Sequence, residues 1–164
     1  RFGLRKLVKV VSGGPTRADS VKRGLMAIRS ATAEIVAVHD GVRPFVTVEE
    51  IQETIVAAQR HGAAILVAPV TDTIKQLTDQ AVVSTLNRER LRRALTPQCF
   101  RYDLLRKAYE NVDVNDASLT DESSLVERLG ETVVVVEGSG RNIKITTQAD
   151  LTMAELIMRE GLWS

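Results

Sequence analysis

The sequence predicts an α/β fold: a mostly parallel sheet flanked by helices, with a β-hairpin arm projecting from it. Three observations carry this. Short β-branched runs alternate with stretches of helical periodicity over the first 68 residues. The connections between those runs are long enough for crossovers that pair strands in parallel. Past Pro69 the rhythm changes to two alternating, polar segments joined by a short turn, the pattern of a hairpin.

Leu7-Val8-Lys9-Val10-Val11 reads as a strand ending at the turn Gly13-Gly14-Pro15. Residues 17–30 form a helical pattern with Val21, Leu25 and Ile28 on one face, and Thr16 with Asp19 makes a capping box in front of it. Residues 34–39 are almost continuously apolar, which predicts a strand covered on both faces. Thr47 and Glu50 form a second capping box, opening a helix to about His61 that Gly62 stops. Residues 63–68 are a third strand, ended by Pro69. The hairpin takes 73–77 and 82–86 around Asp79-Gln80. Helices are expected over 102–111, 120–129 and 148–159, with strands over 132–136 and 142–146. Repeats and linkers are lacking, so residues 1–164 read as one domain with an arm at about 70–92.

Of 164 residues, 44% are hydrophobic and 26% are charged, an ordinary globular balance. The net charge of +1 supplies no basic field of the kind nucleic-acid binders need, so any phosphate site must be local. Cys99 is the only cysteine, which rules out an intramolecular disulfide and fits a reducing, cytoplasmic setting. No run approaches the ~18 apolar residues of a membrane span.

Ligands of alternating α/β sheets sit beyond the carboxyl ends of strands, where two polar loops fall, residues 12–20 and 40–44. The first offers a glycine pair and a helix start. In the second, Asp40 and Arg43 could bind hydroxyls and a phosphate together, or simply pair to shape the loop. His39 reads as a structural hydrogen-bonding residue. Thr96 and Thr120 each place a hydroxyl at a loop or helix start, where capping is the default role. Lys144, inside an apolar run, must face solvent or meet an anion. Metal-ligand clusters are absent from the sequence pattern, and Cys99 reads as a buried filler.

Together these segments resemble the 2-C-methyl-D-erythritol 4-phosphate cytidylyltransferases. The resemblance rests on Gly13-Gly14-x-x-Arg17-x-x-Ser20-Val21, His39-Asp40-x-x-Arg43-Pro44, Pro69-Val70-x-Asp72-Thr73-Ile74-Lys75, Arg88, Leu95-Thr96-Pro97-Gln98, Thr120-Asp121-Glu122 and Asn142-Ile143-Lys144-Ile145-Thr146, in the family's order and spacing over nearly the whole chain. It implies a Rossmann-like sheet of nucleotidyltransferase type. It also implies transfer of CMP from CTP to methylerythritol phosphate, with release of pyrophosphate, in isoprenoid precursor synthesis.

By this resemblance Gly14 and Ser20 contact the cytosine, and Asp40 holds the substrate's hydroxyls and the nearby ribose. Arg43, Thr73, Thr96, Thr120 and Lys144 surround the methylerythritol phosphate. Arg88, on the arm, would serve the site of a second subunit, making the enzyme a homodimer. Asp40, Arg43 and Lys144 are the residues expected to act most directly on the reaction, and magnesium is expected to arrive on the CTP phosphates. The acceptor phosphate, with a second pKa of ~6, needs no general base at neutral pH. Catalysis then rests on positioning and on cations that meet the developing charge.

Two departures qualify the match. The family's glycine-rich triphosphate loop has no counterpart before Gly13, so this chain by itself is expected to bind CTP poorly and to turn over slowly or not at all. Gly41-Val42 stands where the family most often has two alanines. Rival readings are transfer of CMP to D-ribitol 5-phosphate, or a non-catalytic dimerisation module built on the same fold.

Overall fold

The computed structural model describes residues 6–29, 33–111, 113 and 119–162. In chain order the elements are α1 (Arg17–Met26), β1 (Ile35–Val38), α2 (Val48–His61), β2 (Ala63–Pro69), β3 (Lys75–Thr78), β4 (Ala81–Thr85), β5 (Arg92–Arg101), α3 (Tyr102–Asn111), α4 (Glu122–Arg128), β6 (Val134–Glu137) and α5 (Gln148–Arg159).

The main sheet has four strands in the order β1-β5-β2-β6. Both β1 and β2 run antiparallel to β5, and β2 runs parallel to β6. Three strands therefore share one direction, and β5 is inserted against them. Central β2 is buried from Ala63 to Ala68, as an uninterrupted apolar run should be. Ala63, Ile65 and Val67 face one side, against Leu25 of α1, Leu105 and Tyr109 of α3, and Leu125 of α4. Ala64 and Cys99 face the other, against Ala58 of α2. Burial pushes the Cys99 thiol up to about 12, which leaves it an inert filler.

Helix starts follow the sequence closely. Thr16 with Asp19 and Thr47 with Glu50 both form complete capping boxes, and Thr147 with Asp150 adds a third at α5. Gly62 closes α2 with a positive φ of 93°, the conformation glycine adopts without strain. The arm is also as expected: among the described residues β3 and β4 pair only with each other, turning at Asp79, whose φ is 54°.

Several expectations fail for physical reasons. Residues 7–11 form no strand, because no described strand pairs with them to complete a ladder, and Val8 and Val10 are exposed. β1 is an edge strand of the described sheet and only half buried, since β5 is the one described strand that borders it. The expected end of α1 at Ser30 lies outside the described residues, and the helix stops at Met26. Residues 142–146 stay outside the sheet but keep the alternation: Ile143 and Ile145 pack on Phe45, Ala154 and Ile157, while Lys144 points the other way.

The largest omission is β5, the long strand that joins both halves of the sheet. Thr96 lies inside it, not in a loop. The pairing shifts from Ile65 with Gln98 to Val67 with Ala94, so Leu95, Thr96 and Pro97 oppose Leu66 in a bulge. Pro97 has no N–H to give the ladder, so a bulge is where a strand can carry it.

Candidate functional site

A cavity of about 240 Å³ opens where β1 ends beside the β5 bulge. Its lining brings together five of the residues singled out in the sequence: Asp40, Arg43, Thr96, Thr120 and Lys144. It adds Arg17, Gln98 and Asp121, along with Ala94 and Leu95.

Asp40 is the hub. Its Oδ2 lies 3.1 Å from Lys144 Nζ and 3.4 Å from Arg43 Nε, and its Oδ1 lies 3.5 Å from Arg17 Nε. Burial alone would raise the Asp40 carboxyl. The hydrogen bond and charge of Lys144, then the charges of Arg17 and Arg43, outweigh it and hold the group below its ordinary value. The carboxylate is therefore ionised and held by Lys144 and Arg43, with Arg17 shared between it and Glu122, so cations and a fixed acceptor stand together at the cavity. Such a place suits a ligand with both hydroxyls and a phosphate.

Each cation is held by a different element. Arg17 begins α1, where the helix dipole disfavours a cation, and it is retained by buried Glu122, whose Oε1 accepts from Arg17 Nη1 at 2.8 Å and from Tyr109 Oη at 3.1 Å. Burial would lower the Arg17 guanidinium, but Glu122 and then Asp40 raise it above its usual value. Arg43 Nη1 donates to the Asn142 carbonyl at 2.8 Å, fixing the 40–44 loop to the segment that carries Lys144. Lys144 stays partly exposed and meets Asp40, so both alternatives that its sequence context left open are realised.

Gln98, wholly buried in β5, donates from Nε2 to Asp121 Oδ2 at 2.7 Å. Asp121 is the N-cap of α4, accepting from Ser124 N, and Thr120 precedes it. Asp121 thus caps the helix expected to begin at Thr120, and it does not belong to the first turn.

The remaining predicted residues lie elsewhere. Gly14 and Ser20 form a separate cluster at the start of α1, where Gly14 N donates to Ser20 Oγ at 3.0 Å and Ser20 Oγ donates to the Thr16 carbonyl at 2.9 Å. Gly14 has a packing reason to be glycine, since a Cβ there would fall 2.2 Å from Asp19 Cβ. Thr73 and Arg88 belong to the arm region, outside the cavity lining, and Arg88 Nη1 donates to the Thr71 carbonyl at 2.8 Å. Sequence reasoning missed Arg17, Gln98 and Asp121 as site residues, although each stood inside a quoted motif. A cation at a helix start and an amide inside an apolar strand were the available signals.

Among the described residues no cluster of three or more His, Cys, Asp or Glu could hold a metal ion. Both Asp40 oxygens are directed to cations. No described helix is long and apolar enough to cross a membrane.

A family model for 2-C-methyl-D-erythritol 4-phosphate cytidylyltransferase matches residues 2–160. A curated protein of that name from Syntrophotalea carbinolica is 45% identical over 157 residues, covering 96% of this chain and 67% of the relative. One from Alkaliphilus oremlandii is 44% identical over 164 residues, covering 98% and 69%. Among solved structures, the 2-C-methyl-D-erythritol 4-phosphate cytidylyltransferase of Thermus thermophilus superposes with a TM-score of 0.80 at 39% identity, covering 91% of this chain and 72% of that one. The 4-diphosphocytidyl-2C-methyl-D-erythritol synthase of Anaerococcus prevotii gives 0.84 at 38%, covering 91% and 66%. The chain spans about two thirds of the length of the curated relatives.

Proposed function

The chain belongs to the 2-C-methyl-D-erythritol 4-phosphate cytidylyltransferase family, CTP-dependent nucleotidyltransferases, and from that premise we propose that the Asp40 cavity is where the acceptor docks. The observation that carries this reading is the single carboxylate ringed by Lys144, Arg43 and Arg17. A polyol phosphate offers hydroxyl donors for Asp40 and an anion for Lys144 and Arg43.

The family reaction forms a bond between an acceptor phosphate oxygen and the α-phosphorus of CTP, and the bond to pyrophosphate breaks. In this reading Asp40 orients the acceptor through its hydroxyls. Arg43 and Lys144 hold the acceptor phosphate and offset the negative charge that gathers as two anions approach. The phosphate needs no general base, so a site without a nucleophile or a free histidine base is sufficient. Gly14 and Ser20 are assigned to the cytosine, and Ser20 would exchange its present bonds within α1 for the base's polar edge. Thr120 lines the acceptor cavity, and Thr73 and Arg88 are assigned to acceptor binding from the arm.

Magnesium is assigned to the CTP phosphates. With Asp40 committed to cations, the described residues supply no metal cage, and magnesium is commonly held largely by nucleotide phosphates and water. We treat the whole chain as one nucleotidyltransferase domain with an arm at about 70–92, acting in the cytoplasm as a homodimer.

Pyrophosphate release from CTP, measured with the full-length protein, tests the reading. Methylerythritol phosphate should support release and ribitol 5-phosphate should not. Lys144→Ala should lower the rate at least about a hundredfold, the scale of losing one preorganised charge at a developing anion. Release with ribitol phosphate alone would move the acceptor assignment, and an unimpaired Lys144→Ala would remove Lys144 from the chemistry.

A further inference from the structure

Beside the cavity, hydrogen bonds link Thr96, His39, Arg43 and Asn142, and the chemistry of their ends fixes which way each one runs. The Asp40 backbone N–H can only donate, and it gives to Thr96 Oγ1 at 3.1 Å. The Arg43 carbonyl can only accept, and it lies 3.1 Å from His39 Nε2, so that nitrogen carries a hydrogen. In a neutral imidazole Nδ1 is then a bare acceptor. It lies 2.9 Å from Thr96 Oγ1, whose own proton must fill the contact. The Thr96 hydroxyl is thus occupied twice, accepting from Asp40 and donating to His39.

The backbone of Thr96 is committed as well. Its carbonyl accepts from Asn142 Nδ2 at 2.9 Å, and the Asn142 carbonyl accepts from Arg43 Nη1 at 2.8 Å. The bonds therefore close a circuit from Thr96 through His39, Arg43 and Asn142 back to Thr96. Thr96 is 4% exposed and Asn142 1%, so water can scarcely substitute for the bonds at that end.

We propose that Thr96 and His39 are positioning residues: neutral His39, protonated on Nε2, takes the Thr96 proton, and the pair locks the loop that presents Asp40 and Arg43 to the acceptor. Thr96 then spends no proton on a ligand phosphate, in contrast to the role the family resemblance implies for it. His39, a structural residue on sequence grounds, becomes the group that fixes the donor direction of the site. The proton assignment rests on geometry alone, and its functional meaning rests on reading the cavity as the acceptor site.

Nitrogen-15 NMR of histidine-labelled protein tests the assignment without a ligand. The chain has two histidines, and His61→Gln identifies the signals of His39. At a pH where the imidazole is neutral, the His39 proton should sit on Nε2. Thr96→Ser should keep that state, and Thr96→Val should leave the proton on Nε2, where the Arg43 carbonyl holds it, while the Nδ1 resonance moves to that of an acceptor without a donor. A proton on Nδ1, or on both nitrogens, overturns the proposal.

Calorimetry on the full-length protein tests the role. Thr96→Val and His39→Gln should each weaken methylerythritol phosphate binding about tenfold, the worth of one hydrogen bond of this kind. The double variant should be no worse than the weaker single one, and Thr96→Ser should restore binding. Additive losses would make Thr96 an independent ligand contact and overturn the positioning role. A correct tautomer in a protein that binds no acceptor would count against the cavity's assignment, whereas a wrong tautomer with binding intact would count against the circuit.

Discussion

Asp40 is the side chain on which both local stability and the proposed binding turn. Its 14% exposed carboxylate is flanked by Lys144, Arg43 and Arg17, so replacing it leaves several cations facing one another. Asp40→Asn should weaken acceptor binding strongly and destabilise the fold by ~1 kcal/mol, a modest figure because part of the cluster is screened by solvent. The pH dependence has a definite sign. The folded carboxyl lies below its unfolded value of about 3.9, so its contribution is complete above that value and is lost as the pH falls through the lower folded one. Urea midpoints of wild type and Asp40→Asn should therefore differ near neutral pH and converge as the solution is acidified; a gap that stays constant would show that Asp40 stabilises through shape and not charge. At this scale much of the site was legible, because Asp40, Arg43 and Lys144 stood in polar or discordant positions of an apolar pattern. Arg17 and Gln98 were not, because their partners Glu122 and Asp121 lie far along the chain and only the tertiary fold reveals the pairing.

Helix α1 joins the Gly14–Ser20 cluster to the Asp40 cavity, and one glycine before it and one within it test how. Gly14 precedes the helix against its capping box, where a Cβ would meet Asp19 Cβ at 2.2 Å and the Asp19 backbone at 3.1 Å. Gly14→Ala must displace the helix start and should cost about 1–3 kcal/mol. Gly24 lies within the helix with nothing within 4 Å of an added Cβ, so Gly24→Ala should stabilise by roughly 0.5–1 kcal/mol. Thermal unfolding of the two variants should shift in opposite directions, and equal shifts would refute the packing argument. The same contrast governs how far the elements could be read from sequence. Helix caps and the arm's turn are local, and the boundaries of α3 and α5 follow from periodicity within a few residues. Strands depend on partners. β5 was overlooked because Thr96-Pro97-Gln98 breaks the alternation where the bulge sits, and residues 7–11 have strand composition without a described neighbour. For the same reason the sheet order could not be read from the sequence: only long-range pairing shows that β5 is inserted between β1 and β2.

At the scale of the whole molecule the arm is the part that its own chain does not account for. Among the described residues β3 and β4 pair with each other alone, and Leu77, Val82 and Val83 are each more than half exposed. An isolated two-stranded hairpin is marginal in water, so such a ribbon gains most by lying against another surface. Thr73 and Arg88, both assigned to acceptor binding, stand with this arm and not with the cavity of their own chain. These facts are reconciled if the arm reaches a second copy and Arg88 completes that copy's site. Mixing variants tests it. In full-length protein Arg88→Ala and Lys144→Ala should each be nearly inactive as homodimers. When the two are unfolded and refolded together, half of the dimers should be mixed, and each mixed dimer has one site with Lys144 from one subunit and Arg88 from the other. Roughly one quarter of the sites should recover under two-fold symmetry. If Arg88 serves its own chain, both sites of every mixed dimer remain defective and no activity returns. Recovery without a dimer in sedimentation would point to a different assembly, so the two measurements belong together.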